Sequence, residues 1–461
     1  MAVPAPSQQN ERGRRSTRRR RLGWAGVAAA LACLALVAAA CGSSSKSASG
    51  TTTTSTTSAS PTTSAGSSTQ GAPSGTPGLT ANTITVGQIT TTSGPVPGLF
   101  QGANNGLDAW AAYINSKGGI GGRMVKVVHR DDALDCNSYK SQLQSLMGQV
   151  FAMVGTFTIQ DGCGQSVLQA NPTFPNIEGY LLNPALINVP NAMTPTPQPP
   201  GYTTTGAIWI KNKYPHAIAH TADLYGSVSQ ASFVEISSAY KSVGFKYVYT
   251  RGTNPLETNF TSDVLRMKAA GVQMVTLEAQ PVNAIADFIQ QADQQNFHPV
   301  IVSAQAYDAK LFKLTGSANA DNLYMPLLYP MYLGQDRATN PALATMLEWL
   351  NRTHPGATPD IYMVEAWASG QLFAQALQPA GSNLTREGVI NGVHGITAFT
   401  ADGLLPESNP GQKKSPTCMV IVGVKGTSFT RLDPPKQGYQ CNGGYYNVPP
   451  SQIAGLGGLG G

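Results

Sequence analysis

The chain has 461 residues, 41% of them hydrophobic and 12% charged, with 30 basic residues against 24 acidic ones for a net charge of +6. Seven of the arginines and one acid lie in the first forty residues, which leaves 23 basic and 23 acidic residues in the remainder. A balanced remainder excludes a nucleic-acid or anionic-surface binder recognised by bulk charge, and its length exceeds one ordinary domain.

The N-terminus opens with "ERGRRSTRRRRLGW", and residues 22–40 are almost wholly apolar and end in small side chains. A basic region, an apolar run and a small-residue exit form a secretory signal, assigned here to residues 1–40. An uncleaved membrane anchor is the alternative, since nineteen apolar residues can span a bilayer. Ala38-Ala39-Ala40-Cys41 resembles a bacterial lipobox, which implies lipidation at Cys41 and tethering to the outer face of the cytoplasmic membrane. Residues 41–78 are rich in Ser, Thr, Ala and Gly and have too few large apolar groups to offset the entropy of ordering, so they predict a flexible tether.

From residue 79 short β-branched runs alternate with longer amphipathic segments, the pattern of parallel sheets covered by helices. "TITVGQI" predicts the first strand, and Ala103, Leu107, Trp110, Ala111 and Ile114 mark a helix that closes on Gly118-Gly119. "RMVKVVHRDD" follows as a strand, then a helix over 137–149, strand "FAMVGTF", a short helix from 162 and strand "FPNIEGYL". After "PTPQPPGYTTTG" a second series begins, with strands "HAIAHTA", "FKYVYTR", "VQMVTLEA" and "HPVIVSAQ". Its helices are expected over 228–243, 260–270, 282–295 and 308–314, with two more over 341–352 and 361–377. "TCMVIVGVKGTSFTRL" predicts an antiparallel hairpin.

Of six cysteines, Cys33 leaves with the signal and Cys41 takes the lipid, so Cys136, Cys163, Cys418 and Cys441 remain. An even number in an oxidising compartment suggests two disulfides. Among the three connectivities we favour Cys136–Cys163 and Cys418–Cys441, which close local loops. Metal binding finds no C-x-x-C or His spacing in its favour.

No catalytic constellation emerges. "GGIGG" (118–122) lies between a helix and a strand, the reverse of a phosphate-binding loop, and reads as a turn. His216 and His220 share a predicted strand face without a third ligand, Asp131-Asp132 lacks an acid partner, and no Gly-x-Ser-x-Gly elbow exists. What recurs is polar and aromatic residues at predicted strand ends, the edge where α/β sheets bind ligands. These are Thr92-Ser93, Thr156-Phe157, Gly179-Tyr180, Tyr225, Glu278 with Gln280, and Gln305 with Tyr307.

"ITVGQITTTSGP", "NNGLDAWAAYINSKGGIGGRMVKVVHRDD", "DLYGSVSQASFVEISSAYKSVGF" and "NFTSDVLRMKAAGVQMVTLEAQPVNAIADFIQQADQQNF" together resemble the Leu/Ile/Val-type solute-binding proteins of ABC transporters, from Asn82 to Cys441. The resemblance implies an α/β fold of two doubly wound, parallel-sheet lobes, the class I periplasmic-binding-protein fold. Lobe 1 would take 79–204 plus 331–397, lobe 2 would take 205–330 plus 398–448, and 449–461 would be a flexible Gly-rich tail. Three hinge crossings are expected near 202–206, 328–332 and 395–399. By the same resemblance Thr92, Ser93, Thr156 and Phe157 would hold a ligand's polar head, while Tyr180, Tyr225, Gln280 and Gln305 close over it. Glu278 would neutralise an α-ammonium group. The implied protein is a non-enzymatic receptor without cofactor or metal, partnered by a small solute and an ABC permease. Branched-chain amino acids, amides, short peptides and small organic acids are candidate solutes. A sensory receptor of the same fold and a secreted α/β enzyme are the rival classes.

Overall fold

Sixteen residues of helix α1 (Gln101–Ser116) follow the first strand, β1 (Thr83–Thr90), and this βα order repeats through most of the chain. The structure is a computed structural model that describes residues 75–456 apart from 228, 255 and 455. The signal, Cys41 and nearly all of the tether lie outside the described residues.

The first series continues with β2 (Met124–Asp131), α2 (Cys136–Met147), β3 (Ala152–Thr156), α3 (Gln165–Ala170), β4 (Asn176–Glu178) and β5 (Ala192–Met193). These strands form an all-parallel sheet in the order β2-β1-β3-β4-β5. β1 buries six of its eight residues because helices cover both faces of the sheet, so its sequence lacks strict alternation. Helix α1 ends as its sequence predicts. Gly118 and Gly119 adopt positive φ, and the Gly119 N–H reaches back to the Ile114 carbonyl at 3.0 Å.

A two-stranded element, β6 (Gly201–Thr203), and α4 (Thr205–Lys213) lead into the second series. It comprises β7 (Thr221–Gly226), α5 (Gln230–Val243), β8 (Tyr247–Thr253), α6 (Thr261–Ala269), β9 (Met274–Glu278), α7 (Val282–Gln294), β10 (Val300–Val302), α8 (Leu311–Thr315) and β11 (Leu323–Leu327). The chain then returns to the first sheet through α9 (Pro341–Thr353), α10 (Ile361–Leu377) and α11 (Arg386–His394). Helices α9 and α10 pack on α1, where Gly370 and Gly106 allow close approach: a Cβ on Gly370 would lie 2.1 Å from Trp110.

Finally β12 (Val420–Lys425) and β13 (Ser428–Asp433) add an antiparallel hairpin to the second sheet, whose order is β13-β12-β11-β10-β9-β7-β8. β14 (Tyr445–Asn447) pairs with β6, and α12 (Pro450–Ile453) follows with Ile453 buried. The expected tail thus begins with an ordered turn packed beside Val448.

The fold is an α/β fold of two mainly parallel sheets. Both disulfides pair as favoured, Cys136 with Cys163 and Cys418 with Cys441. One local expectation differs, and some elements have no counterpart in the sequence reading. "HAIAHTA" is mostly a 3-10 turn over Ala217–His220, and the strand starts only at Thr221, so His216 and His220 share no strand face. "LYMPL", not assigned from the sequence, is a strand (β11) despite Pro326, which lies past the last residue paired with β10, Tyr324, so no donor is missing from that ladder. Helix α11, short and weakly amphipathic, has no counterpart in the sequence reading.

Candidate functional site

In both sheets the second strand lies on one side of the first strand and the third on the other, β2-β1-β3 and β8-β7-β9. That reversal opens a crevice at the carboxyl ends, where open α/β sheets take their ligands. The loops after β1, β3, β7 and β9 therefore form the candidate rims.

On the first rim, the loop 91–100 is tied down by acids at the end of β2. The Thr92 and Ser93 N–H groups donate to Asp131 Oδ1 at 3.0 and 3.3 Å, and Ala133 N–H joins them at 2.9 Å. Partial burial pushes this carboxyl up, but the Ser93 hydroxyl and these N–H groups outweigh it and hold it at about 2. Two of the N–H groups expected to greet a ligand are thus occupied by the protein's own carboxylate. Asp132 is fully buried and accepts from the hydroxyls of Thr91, at 2.7 Å, and Thr158. Thr156 is buried, its hydroxyl accepting the Ile89 N–H at 3.3 Å. Phe157 packs in a trio with Phe100 and Tyr362, ring centroids 4.8 Å apart.

On the second rim, half-buried Tyr225 lies flat on Phe233, centroids 4.2 Å apart. Gln280 is buried, and its Nε2 bridges two strands, donating to the Leu224 carbonyl at 3.0 Å and to Thr253 Oγ1 at 2.7 Å. Its Oε1 is buried without a partner. Glu278 is 7% exposed, and burial pushes its carboxyl up to about 8. Gln305 is exposed beside Ser303. Tyr307 turns into the core instead, donating to Gln335 Oε1 at 2.5 Å and packing against Tyr332 and Phe429.

Tyr180, which the sequence reading placed at the site, has neighbours that reading did not single out. Tyr180, beyond β4, donates to Gln198 Oε1 at 2.6 Å. Tyr202, on β6, is half-buried, and burial raises its hydroxyl. Tyr329, beyond β11, donates to Glu365 Oε1. Glu365 comes from the middle of α10 and is 2% exposed, its Oε2 unpartnered; burial pushes it up to about 8. Glu235, on α5, accepts from the Gly201 N–H at 3.4 Å, and burial pushes it up to about 7. Burial also raises the Tyr180 hydroxyl, with Glu235, Glu365 and Tyr202 all contributing. Residues beyond β4, on β6 and α5, beyond β11 and on α10 therefore contribute to a polar, aromatic group. Tyr180 stood at a predicted strand end and Tyr202 in the quoted connector "PTPQPPGYTTTG"; Tyr329 and the two helical glutamates carry no local signal.

Glu278 and Glu365, pushed up to about 8, are largely protonated near neutrality and can donate hydrogen bonds, whereas Glu235, at about 7, is partly ionised there. No group of three or more metal-ligating side chains stands together among the described residues.

A family model described as periplasmic binding protein matches residues 83–428, most of the chain. The chain belongs to the periplasmic binding protein family. It is accordingly a non-enzymatic, extracytoplasmic binding protein. This periplasmic binding protein is 24% identical over 329 residues to the Leu/Ile/Val-binding protein homolog 2 of Brucella abortus, covering 65% of this chain and 81% of the relative. It is similar in fold to a fatty acid ABC transporter substrate-binding protein from Thermomonospora curvata, with TM-score 0.66, 19% identity, and 79% and 96% of the two chains covered. A solute-binding protein from R. palustris in complex with 4-hydroxybenzoate gives TM-score 0.64 at 17% identity, with 78% and 98% covered. A branched chain amino acid ABC transporter protein from Thermus thermophilus with bound valine gives 0.62 at 12% identity, with 82% and 99% covered.

Proposed function

We propose that this periplasmic binding protein captures a small amino-acid-like, amide or organic-acid solute between the carboxyl ends of its two sheets and delivers it to an ABC permease. The observation that carries the reading is the shared cluster. Glu235 of the second series accepts the Gly201 N–H beside Tyr202, and Glu365, packed against Gly179 just ahead of Tyr180, accepts the Tyr329 hydroxyl. Lobes bounded as the sequence suggests would close on the solute, with Thr92, Ser93 and Phe157 on one wall and Tyr225 and Glu278 on the other. Gln305 is free to contribute at the rim, whereas Thr156, Gln280 and Tyr307 support the walls from behind.

Ligand favours closure because only the closed arrangement lets it contact both lobes. Similar folds are named for a fatty acid, 4-hydroxybenzoate and valine, so selectivity rests on the cluster rather than on the fold. A lipid on Cys41 would hold the receptor at the outer face of the cytoplasmic membrane. Native mass spectrometry of the purified protein tests the proposal by detecting the retained solute. Adding that solute to refolded protein should raise Tm and shrink the scattering radius together. Tight binding with an unchanged radius would refute the clamp.

A further inference from the structure

The family match ends at residue 428, yet the chain beyond it is built into the first connection between the two sheets. Cys441 is joined to Cys418, just ahead of β12. Gly443 N–H then donates to Thr205 Oγ1 at 3.1 Å, Gly444 N–H to Thr204 Oγ1 at 3.0 Å, and Thr204 N–H back to the Gly444 carbonyl at 2.9 Å. In the next three residues β14 pairs antiparallel with β6, setting Tyr445 opposite Thr203, Tyr446 opposite Tyr202 and Asn447 opposite Gly201.

The contact admits no extra atom. A Cβ on Gly201 would sit 2.1 Å from the Tyr446 carbonyl oxygen, and one on Gly443 would sit 2.4 Å from the Thr205 nitrogen. The Tyr445 hydroxyl lies 2.5 and 3.0 Å from the carbonyls of Pro199 and Gly201. The Val448 N–H closes the run on the Pro200 carbonyl at 2.9 Å, and Val448 and Ile453 bury themselves against Ala231 of α5. From the other side, the hydroxyls of Thr203 and Thr205 donate to the Thr417 carbonyl at 2.8 and 2.6 Å, next to the disulfide. A ribbon of three residue pairs is marginal by itself. Here a covalent bond at one end and an apolar anchor at the other hold it in place.

We infer that residues 441–448 form a strap that locks the connection 201–205 onto the second series of elements and sets how far Tyr202 can travel as the lobes open and close. Tyr202 is then a positioning residue. Its backbone is half of the strapped ribbon, paired with Tyr446, and the neighbouring Gly201 N–H donates to Glu235. The solute-linked part of the inference rests on the receptor reading above; the strap does not.

Hydrogen exchange on the full chain tests it, comparing wild type with the Cys418→Ser/Cys441→Ser double variant and with Tyr445→Phe, which keeps the disulfide. Amides of 201–205 and 445–448 should exchange roughly tenfold or more faster in the double variant, and less so in Tyr445→Phe, with β1 and β9 unchanged. The scattering radius of the solute-free protein should rise with them. Unchanged exchange at 201–205 in both variants overturns the strap, as does uniform acceleration across the whole molecule. Released amides with an unchanged radius overturn the role of Tyr202 in lobe movement. They leave the receptor reading intact, because that reading is judged by solute retention. Should the double variant not fold, reduction of folded wild type with tris(2-carboxyethyl)phosphine gives the same readout on the same peptides.

Discussion

Asp131 Oδ1 accepts the backbone N–H of Thr92 at 3.0 Å, so the first-rim loop is held by a carboxylate from the neighbouring strand before any solute arrives. Replacing Asp131 with Ala frees three N–H groups at once. Exchange at Thr92 and Ser93 should accelerate roughly tenfold while β1 stays protected. The depressed carboxyl stabilises the loop above its ordinary value of 3.8, and that stability is lost as pH falls through about 2. Unaltered exchange in Asp131→Ala would mean that the loop is held by something else.

Glu278 and Glu365 give the opposite sign. Each is pushed by burial from 4.5 to about 8, so between those values the folded protein holds a proton that the unfolded chain releases. Stability therefore falls as pH rises through that window. Scanning calorimetry should show Tm dropping between pH 5.5 and 8.5, and Glu365→Gln should flatten the slope by roughly 2–4 °C across the range. Glu235, pushed up to about 7, acts in the same direction. A Tm that rises with pH over this range would refute the assignment.

Packing between α1 and α10 turns on Gly370, whose missing Cβ leaves room for the buried Trp110 ring. Gly370→Ala should destabilise by about 1–3 kcal/mol, because neither helix can shift without opening the core. Urea denaturation measures this, and a neutral result would contradict the close approach.

Tyr225 and Gln280 should separate when each is changed to Ala. Tyr225 is half-buried with its ring stacked on Phe233, so its loss should weaken solute binding about tenfold, roughly 1.4 kcal/mol, with little effect on Tm. Gln280 ties Leu224 to Thr253, so its loss should lower Tm as well. Calorimetric titration with the retained solute, alongside a melt, distinguishes them. Full affinity in Tyr225→Ala would remove Tyr225 from the site.

The order of most longer elements was legible because these strands and helices carry their own apolar pattern. "TITVGQI", "VQMVTLEA" and residues 361–377 fold where their sequences say. The strand ends that form the rims followed from the same pattern, and so did both disulfides, whose cysteines stand 27 and 23 residues apart. Tyr307 shows where such reading stops. Its position at a strand end suggested a rim, but which way a side chain turns depends on neighbours such as Gln335 and Phe429, far along the chain.

Glu365, Tyr329 and the strap at β14 lay beyond the sequence for the same reason. Burial of a glutamate in α10, or the pairing of Tyr446 with Tyr202, is created only when distant segments meet. The sequence by itself determined the series of strands and helices, the rim positions and the family likeness, since these depend on local periodicity and short motifs. Only the tertiary structure decided which side chains are desolvated, which N–H groups are already taken and what holds the connections, because desolvation and long-range hydrogen bonding are properties of assembled surfaces.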